Sequence, residues 1–248
     1  MVDAPNDIDP QALNSIKRVH PSPAALDYLV DLSRRHFGWF TKHLPRTFEY
    51  PWLLTSIGDV ESRKILDIGA GVSPLPVALS KAGAYVVTVD SSRQIRSRLA
   101  KANTWNEWGF LDYSLISPRI RSLNVDICDC RFSADEFDVA YSISVIEHVP
   151  ADVRRRCFAL LGRWVRAGGK LILTLDLVPG TEQLWNRNLG VEVEDVSVHG
   201  TLSEIILELA DAGFELEYRG FVRDLPDTVV DVTLLKLAKA RNADPDRI

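Results

Sequence analysis

Apolar residues recur at Leu26, Leu29, Val30, Leu32, Phe37 and Phe40, a spacing that predicts one or two amphipathic helices between Pro23 and His43. From Lys64 the period changes. Lys64–Ile68 is a short apolar run, Pro74–Lys81 reads as a helix, and Tyr85–Val89 is a β-branched strand ending at Asp90. Alternation of this kind predicts a parallel sheet with right-handed crossovers. A helix over Ser92–Ala102, with Trp105 and Trp108 three apart just beyond it, a strand near Leu123–Asp126 and another over Phe137–Ser142 continue the pattern. Pro150 suits the first turn of a helix running to about Val165, Gly168-Gly169 read as its stop, and Lys170–Leu175 is the fifth strand.

The last third reads differently. Thr201-Leu-Ser-Glu204 has the form of a capping box opening a helix whose apolar positions are Leu202, Ile205, Ile206, Leu209 and Ala210, with Gly213 ending it. Phe214–Tyr218 and about Val229–Leu237 then read as strands joined by a loop containing Pro226, too short for a parallel crossover, so they should pair antiparallel. The expected organisation is a helical cap over residues 1–58, an α/β domain over 59–240 and a frayed tail over 241–248; the first twelve residues are polar and carry two prolines.

A length of 248 residues fits one α/β domain with an appendage. The net charge of −5 supplies no broad basic field for phosphate backbones, which argues against nucleic acid as a partner. No window approaches the roughly 18 apolar residues of a membrane span, and Met1–Pro5 lacks the basic start and apolar run of a secretory signal. The expectation is a cytoplasmic protein without a membrane partner, a monomer or a homodimer. Three cysteines, Cys128, Cys130 and Cys157, do not make a disulfide framework, and a one-residue gap between the first two is too short for a zinc knuckle, so no metal is expected.

Candidate chemistry begins at Lys64-Ile-Leu-Asp-Ile-Gly-Ala-Gly71, where two glycines sit between a buried strand and a helix and the chain must turn sharply beside a ligand. Dinucleotide folds share this turn, but here their third glycine is replaced by Pro74, and Asp67 sets a carboxylate beside the turn, unfavourable to phosphate and favourable to an ammonium. Asp90 closes the second strand at the position where a carboxylate accepts hydrogen bonds from ribose hydroxyls. Ligands of open parallel sheets bind at the carboxyl ends of strands, so Gly69, Asp90, Asp126 and Ser142 should share one crevice.

Through these residues the sequence resembles the class I S-adenosylmethionine-dependent methyltransferases over about residues 60 to 240. Asp67-Ile-Gly-Ala-Gly71 is similar to that family's first motif, Asp90 to its ribose-binding acid, and Asp126-Ile127 to the pair that meets adenine. Phe137–Val149 resembles the fourth-strand motif and Arg166–Leu171 the turn before the fifth strand. The resemblance implies a Rossmann-like doubly wound sheet of five parallel strands with a C-terminal antiparallel hairpin and an N-terminal helical cap. It also implies S-adenosyl-L-methionine as methyl donor, S-adenosyl-L-homocysteine as product, and a cofactor site of Tyr50, Asp67, Gly69, Ala70, Gly71, Asp90, Ser91, Asp126, Ile127 and Ser142. The acceptor would be an O or N atom of a small molecule, a glycan or a secondary metabolite. The competing readings are a nicotinamide-dependent oxidoreductase and a noncatalytic adenosyl-ligand-binding scaffold.

His148, His199 and Asp176 are the candidate catalytic groups: His148 just past the fourth strand, His199 before the capping box, Asp176 at the end of the fifth strand. Each also has a structural reading, as a packed histidine, a loop residue and the start of a turn. The segment of Gln183, Leu184, Trp185, Asn186 and Asn188 is a candidate substrate cover, and Phe48–Trp52 a candidate cofactor cover with Tyr50 or Trp52 near the methionine end. The basic stretch of Arg34, Arg35, His36, Lys42, His43 and Arg46 reads as a solvated helix face, with contact to an anionic substrate or RNA as the alternative.

Overall fold

An apolar run that is buried on both faces needs a strand on either side, and Lys64–Ile68 (β2) has them, β3 (Tyr85–Val89) and β5 (Phe137–Ile143), both parallel to it. The computed structural model describes residues 17–18, 22–41, 43–92, 109–186, 193–223 and 230–240. Within these, β1 (Lys17–Arg18), β4 (Ile120–Leu123), β6 (Val165–Leu177), β7 (Phe214–Val222) and β8 (Asp231–Lys239) complete an eight-stranded sheet in the order β1-β7-β8-β6-β5-β2-β3-β4. All neighbours are parallel except β8, which is antiparallel to both β6 and β7. This is a Rossmann-like sheet.

The terminal hairpin forms as expected but not as an outer appendage, because β8 inserts between β6 and β7. β8 is buried along most of its length and takes a neighbour on each side, whereas β7 is exposed in its first half and lies further out. The pairing of β1 with β7 was not anticipated. Two boundaries also differ from the sequence reading. β4 ends at Leu123, three residues before Asp126, which instead caps a 3-10 turn over Ile127–Asp129 by accepting the N–H of Cys128. Gly168-Gly169 do not stop a helix: the helix Ala151–Trp164 runs straight into β6, and the glycines lie in a bulge where Phe137 pairs with Val165 but Val139 with Lys170.

Strand alternation sends Ile65, Val139, Tyr141 and Ile172 to one face of the sheet and Leu66, Ala140, Leu171 and Leu173 to the other. The first face is covered by α1 (Pro23–Phe37), α2 (Arg46–Ile57) and α3 (Leu75–Lys81), through Leu29, Leu32, Leu53, Ile57, Leu75 and Leu79. The second is covered by α4 (Ala151–Trp164) and α6 (Leu202–Asp211), which follows a short α5 (Val196–His199). Each face of the sheet thus has its own apolar core. Ser22 caps α1 at its start and Gly38, at φ 83°, closes it. The capping box is present on α6, where the Thr201 N–H donates to Glu204 Oε2 at 2.7 Å and the Glu204 N–H to Thr201 Oγ1 at 3.4 Å. Residues 1–12, the helix expected after Ser92, Lys42, Trp105, Trp108, Asn188, Pro226 and 241–248 lie outside the described residues.

Candidate active site

The carboxyl ends of β2, β3, β5 and β6, roofed by α2, enclose a cavity of about 720 Å³. At the end of β2 the chain turns through Gly69 (φ 70°) and Gly71 (φ 51°). A Cβ on Gly69 would come within 2.6 Å of the Val145 side chain, so both the conformation and the close approach of the chain just after β5 favour glycine there. The Gly71 N–H donates to Asp90 Oδ2 at 2.8 Å, and Asp90 Oδ1 accepts the Ser92 N–H at 2.7 Å. Below the turn, the fully buried Tyr113 accepts from the Ser73 N–H at 2.7 Å and donates to the Gly71 carbonyl at 2.9 Å. Tyr113 was not singled out in the sequence, where it closes an aromatic stretch without local chemistry.

Of the cofactor residues expected from sequence, Tyr50, Asp67, Gly69, Ala70, Gly71, Asp90, Ser91, Asp126 and Ile127 all line this cavity. Ser142 does not. The two-residue strand period points Tyr141 and Ile143 at the cavity and turns Ser142 the other way, where its buried hydroxyl donates to the Ile68 carbonyl at 2.9 Å. Asp67 is 3% exposed and accepts from the Tyr141 hydroxyl at 2.7 Å. Burial, reinforced by the charge of Asp90, pushes its carboxyl up to about 8 against the opposing Tyr141 bond, so it is largely protonated at neutral pH. The carboxylate expected beside the turn is therefore largely a neutral acid.

The far end of the cavity carries a polar network that the sequence did not disclose. Arg46 pairs with the buried Glu49 and donates to Ser144 Oγ at 2.7 Å, so it is no solvated face residue. Ser144 Oγ lies 2.7 Å from Glu49 Oε1 and 3.2 Å from Asp176 Oδ1, and Thr174 donates to Glu49 at 2.5 Å. Ser144 adopts φ 45°, a strained backbone at the point where β5 meets the site. Asp176 lines the cavity, as does His43, whose Nε2 is 3.4 Å from Asp176 Oδ2 and whose ring stacks on Trp185. Burial works to raise the Asp176 carboxyl, but the His43 bond and the charges of Arg46, His43 and His148 outweigh it and hold it low. Its neighbour Glu147 accepts the Asp176 N–H at 2.9 Å and is driven well up by burial and by Asp176. The two carboxyls are thus driven apart, Asp176 held low and Glu147 pushed up.

His148 lines the cavity with its Nδ1 2.9 Å from Glu194 Oε1. His199 does not line it: the ring stands behind, 3.5 Å from the other oxygen of Glu194, because α5 begins beyond that carboxylate. In the segment expected to cover a substrate, Trp185 lines the cavity, Leu184 is fully buried, Gln183 bridges to Thr201 and Asn186 donates to Glu194. Phe48–Trp52 is part of α2, where Tyr50 reaches the cavity and Trp52 packs instead against Tyr218. Arg35 pairs with Asp31 on the surface of α1.

A family profile described as a methyltransferase domain matches residues 66–173, from β2 through the glycine turn to β6. The ubiquinone biosynthesis O-methyltransferase of Haemophilus ducreyi is 28% identical over 121 residues, 48% of this chain and 49% of that one. The enzyme of the same name from Bordetella parapertussis is 27% identical over 118 residues, 46% of this chain and 45% of its own. The chain spans about half the length of the curated relatives it matches. Among solved structures, the 1,6-didemethyltoxoflavin-N1-methyltransferase of Burkholderia thailandensis superposes with a TM-score of 0.60 at 16% identity, covering 97% of this chain and 94% of that one. A putative S-adenosylmethionine-dependent methyltransferase from Listeria monocytogenes does so with a TM-score of 0.58 at 15% identity, over 78% and 98%. Residues 66–173 thus match the profile of a methyltransferase domain, and the chain shares its fold with solved S-adenosylmethionine-dependent methyltransferases.

Proposed function

We propose that this chain is a cytoplasmic enzyme that transfers a methyl group from S-adenosylmethionine to an oxygen or nitrogen atom of a small molecule, a glycan or a secondary metabolite. The observation that carries the reading is the cradle made by Gly69, Gly71 and Asp90 at the end of the central strands. Each Asp90 oxygen accepts one backbone N–H, which leaves the carboxylate further acceptor capacity for ribose hydroxyls. In this reading Asp126 and Ile127, which line the cavity, would meet the adenine, and Asp67 and Tyr50 would meet the methionine end. A buried acid poised to ionise beside a cation suits the charge of that end.

When bound, S-adenosylmethionine supplies a methyl group already activated by its sulfonium. The chain's own part is to bring the acceptor into line, which contributes on the order of 7 to 11 kcal/mol when the reacting atoms are held about 3 to 3.5 Å apart. Asp176, a buried carboxylate, favours acceptors that present O–H or N–H donors, and the stacked His43 and Trp185 rings form one wall of that space. His148 is the group placed to take the proton. Within the expected cap, α2 serves as the roof, since it contributes Arg46 and Tyr50 to the cavity. The O-methyltransferase names of the sequence relatives support transfer to oxygen first.

Calorimetric titration with S-adenosylhomocysteine and separately with NAD tests the reading. Binding of the homocysteine product alone supports it, to be followed by methyl transfer from radiolabelled donor to panels of phenols, aminoheterocycles and free sugars. Binding of NAD alone replaces it with the oxidoreductase; product binding with no transfer to any panel moves the chain to a noncatalytic binder.

A further inference from the structure

The ring of His148 is held from behind by a carboxylate that is itself held. His148 ends the 3-10 turn Ile146–His148 that follows β5, and its Nδ1 lies 2.9 Å from Glu194 Oε1. Glu194 is 7% exposed. Its second oxygen accepts from Asn186 Nδ2 at 2.9 Å and lies 3.5 Å from His199 Nδ1, and its N–H donates to the Leu184 carbonyl at 2.8 Å. The Leu184–Asn186 stretch is tied in turn to the end of β6, where the Trp185 N–H donates to the Asp176 carbonyl at 3.0 Å. A solvated salt bridge needs none of this support, whereas a ring that must present one nitrogen in a fixed direction does.

We infer that Glu194 is a positioning residue that fixes His148 in the Nδ1–H tautomer, so that Nε2 faces the cavity as the acceptor of the substrate's proton. This rests on the methyltransferase reading above. An ionised carboxylate only accepts hydrogen bonds, so the nitrogen beside it must carry the proton and the other nitrogen keeps its lone pair. As the acceptor's lone pair forms the new bond to the methyl carbon, the sulfur keeps the electron pair of the bond that breaks. His148 Nε2 takes the acceptor's proton and becomes an imidazolium beside the Glu194 carboxylate, the donor leaves as a neutral thioether, and water later removes the proton. Among the described residues, the other charged or titratable groups on the elements packed around the ring are Asp176 at the end of β6, Glu147 on its own turn, His199 at the end of α5, and Arg154 of α4, which is engaged by Glu208. Glu194 is the one of these in direct contact with the ring. The implied acceptors are those that must lose a proton on methylation, hydroxyls and N–H groups, and not tertiary amines or thioethers.

The test uses the full chain labelled with ¹⁵N at its five histidines and saturated with S-adenosylhomocysteine, read by long-range ¹H–¹⁵N correlation above the histidine titration. His148→Ala assigns the signal. The expected result is a single Nδ1–H tautomer for His148, a mixture of tautomers in Glu194→Ala, and its restoration in Glu194→Gln, whose amide oxygen still accepts. With an acceptor that turns over, kcat falls about 10²-fold in Glu194→Ala, the lower end of what a general base contributes, while KM for S-adenosylmethionine is unchanged. A wild-type ring protonated at Nε2, or a tautomer unaltered by Glu194→Ala, overturns the inference. Failure of the wild type to bind S-adenosylhomocysteine would instead sink the methyltransferase reading, so the two failures are distinct.

Discussion

The backbone N–H of Gly71 donates to the carboxylate of Asp90 at 2.8 Å, which makes the glycine turn after β2 and the acidic end of β3 a single construction rather than two adjacent motifs. Removing the acid therefore takes away the proposed ribose acceptor and a strut of the turn together. Asp90→Ala should weaken S-adenosylhomocysteine binding by roughly 1.5 to 3 kcal/mol, about 10- to 150-fold, the range for hydrogen bonds to a charged group. Titration calorimetry on a variant with native circular dichroism checks it. Unchanged affinity would mean that Asp90 serves the turn alone.

Tyr113 supports the same turn from below, through Ser73 and Gly71. Tyr113→Phe leaves the buried Ser73 N–H without its acceptor, so stability should fall by about 1 to 3 kcal/mol although the ring and its packing are retained. Urea denaturation gives the number, and a change below about 0.5 kcal/mol would show that the turn re-pairs without the hydroxyl.

The residues around the cavity differ in how far the sequence discloses them. Asp90 is legible because its place follows from position: it comes just after a β-branched strand about twenty residues past the glycines, and local geometry delivers it to the cavity. Ser142 was misplaced for an equally local reason, since a strand alternates faces and an error of one residue moves a side chain from the cavity to the opposite core. Tyr113 and Arg46 were illegible in a different way. The Tyr113 partner Ser73 lies 40 residues away, and although Arg46 pairs with Glu49 on its own helix, the contact that ties it to the site, Ser144, lies 98 residues away, so the local sequence reads as a core aromatic and a surface arginine. The insertion of β8 between β6 and β7 is likewise a non-local choice, which the antiparallel pattern of the last two strands leaves undetermined.

Asp67 makes stability depend on pH. Its folded pKa, raised to about 8, stands above the ordinary value near 4 of the unfolded chain. The folded state thus keeps a proton that the unfolded state has released between those values. The sign follows: this group's contribution is fully present below pH 4 and is lost progressively as pH rises to about 8. In Asp67→Asn, which cannot ionise, that loss should vanish. Relative to wild type, the variant should gain stability steadily between pH 5 and 8, by at most about 1.4 kcal/mol per pH unit. Parallel urea titrations at pH 5, 6, 7 and 8 measure the difference, and a constant offset across the series would show that Asp67 is ionised throughout.

Arg46 and Glu49 test whether the cap is fastened at the site itself. The pair is buried, on α2, and reaches Ser144 after β5 and Thr174 on β6, so it joins the helix over the cavity to two strand ends beneath it. Buried ion pairs are expensive to form, and their loss is asymmetric: removing one partner strands the other in low dielectric. Arg46→Met should cost about 3 to 5 kcal/mol, because Glu49 is left with only the hydroxyls of Ser144 and Thr174. The double variant Arg46→Met/Glu49→Leu should recover most of that loss, since two apolar side chains replace the pair. If the network serves only to hold α2 down, the recovered double variant will bind S-adenosylhomocysteine as the wild type does. If Arg46 also sets Asp176, whose carboxyl it helps to hold low, the double variant will fold and bind the product, yet its methyl transfer will weaken as pH falls. Denaturation, product binding and the pH profile of transfer on the same three proteins separate fastening from chemistry.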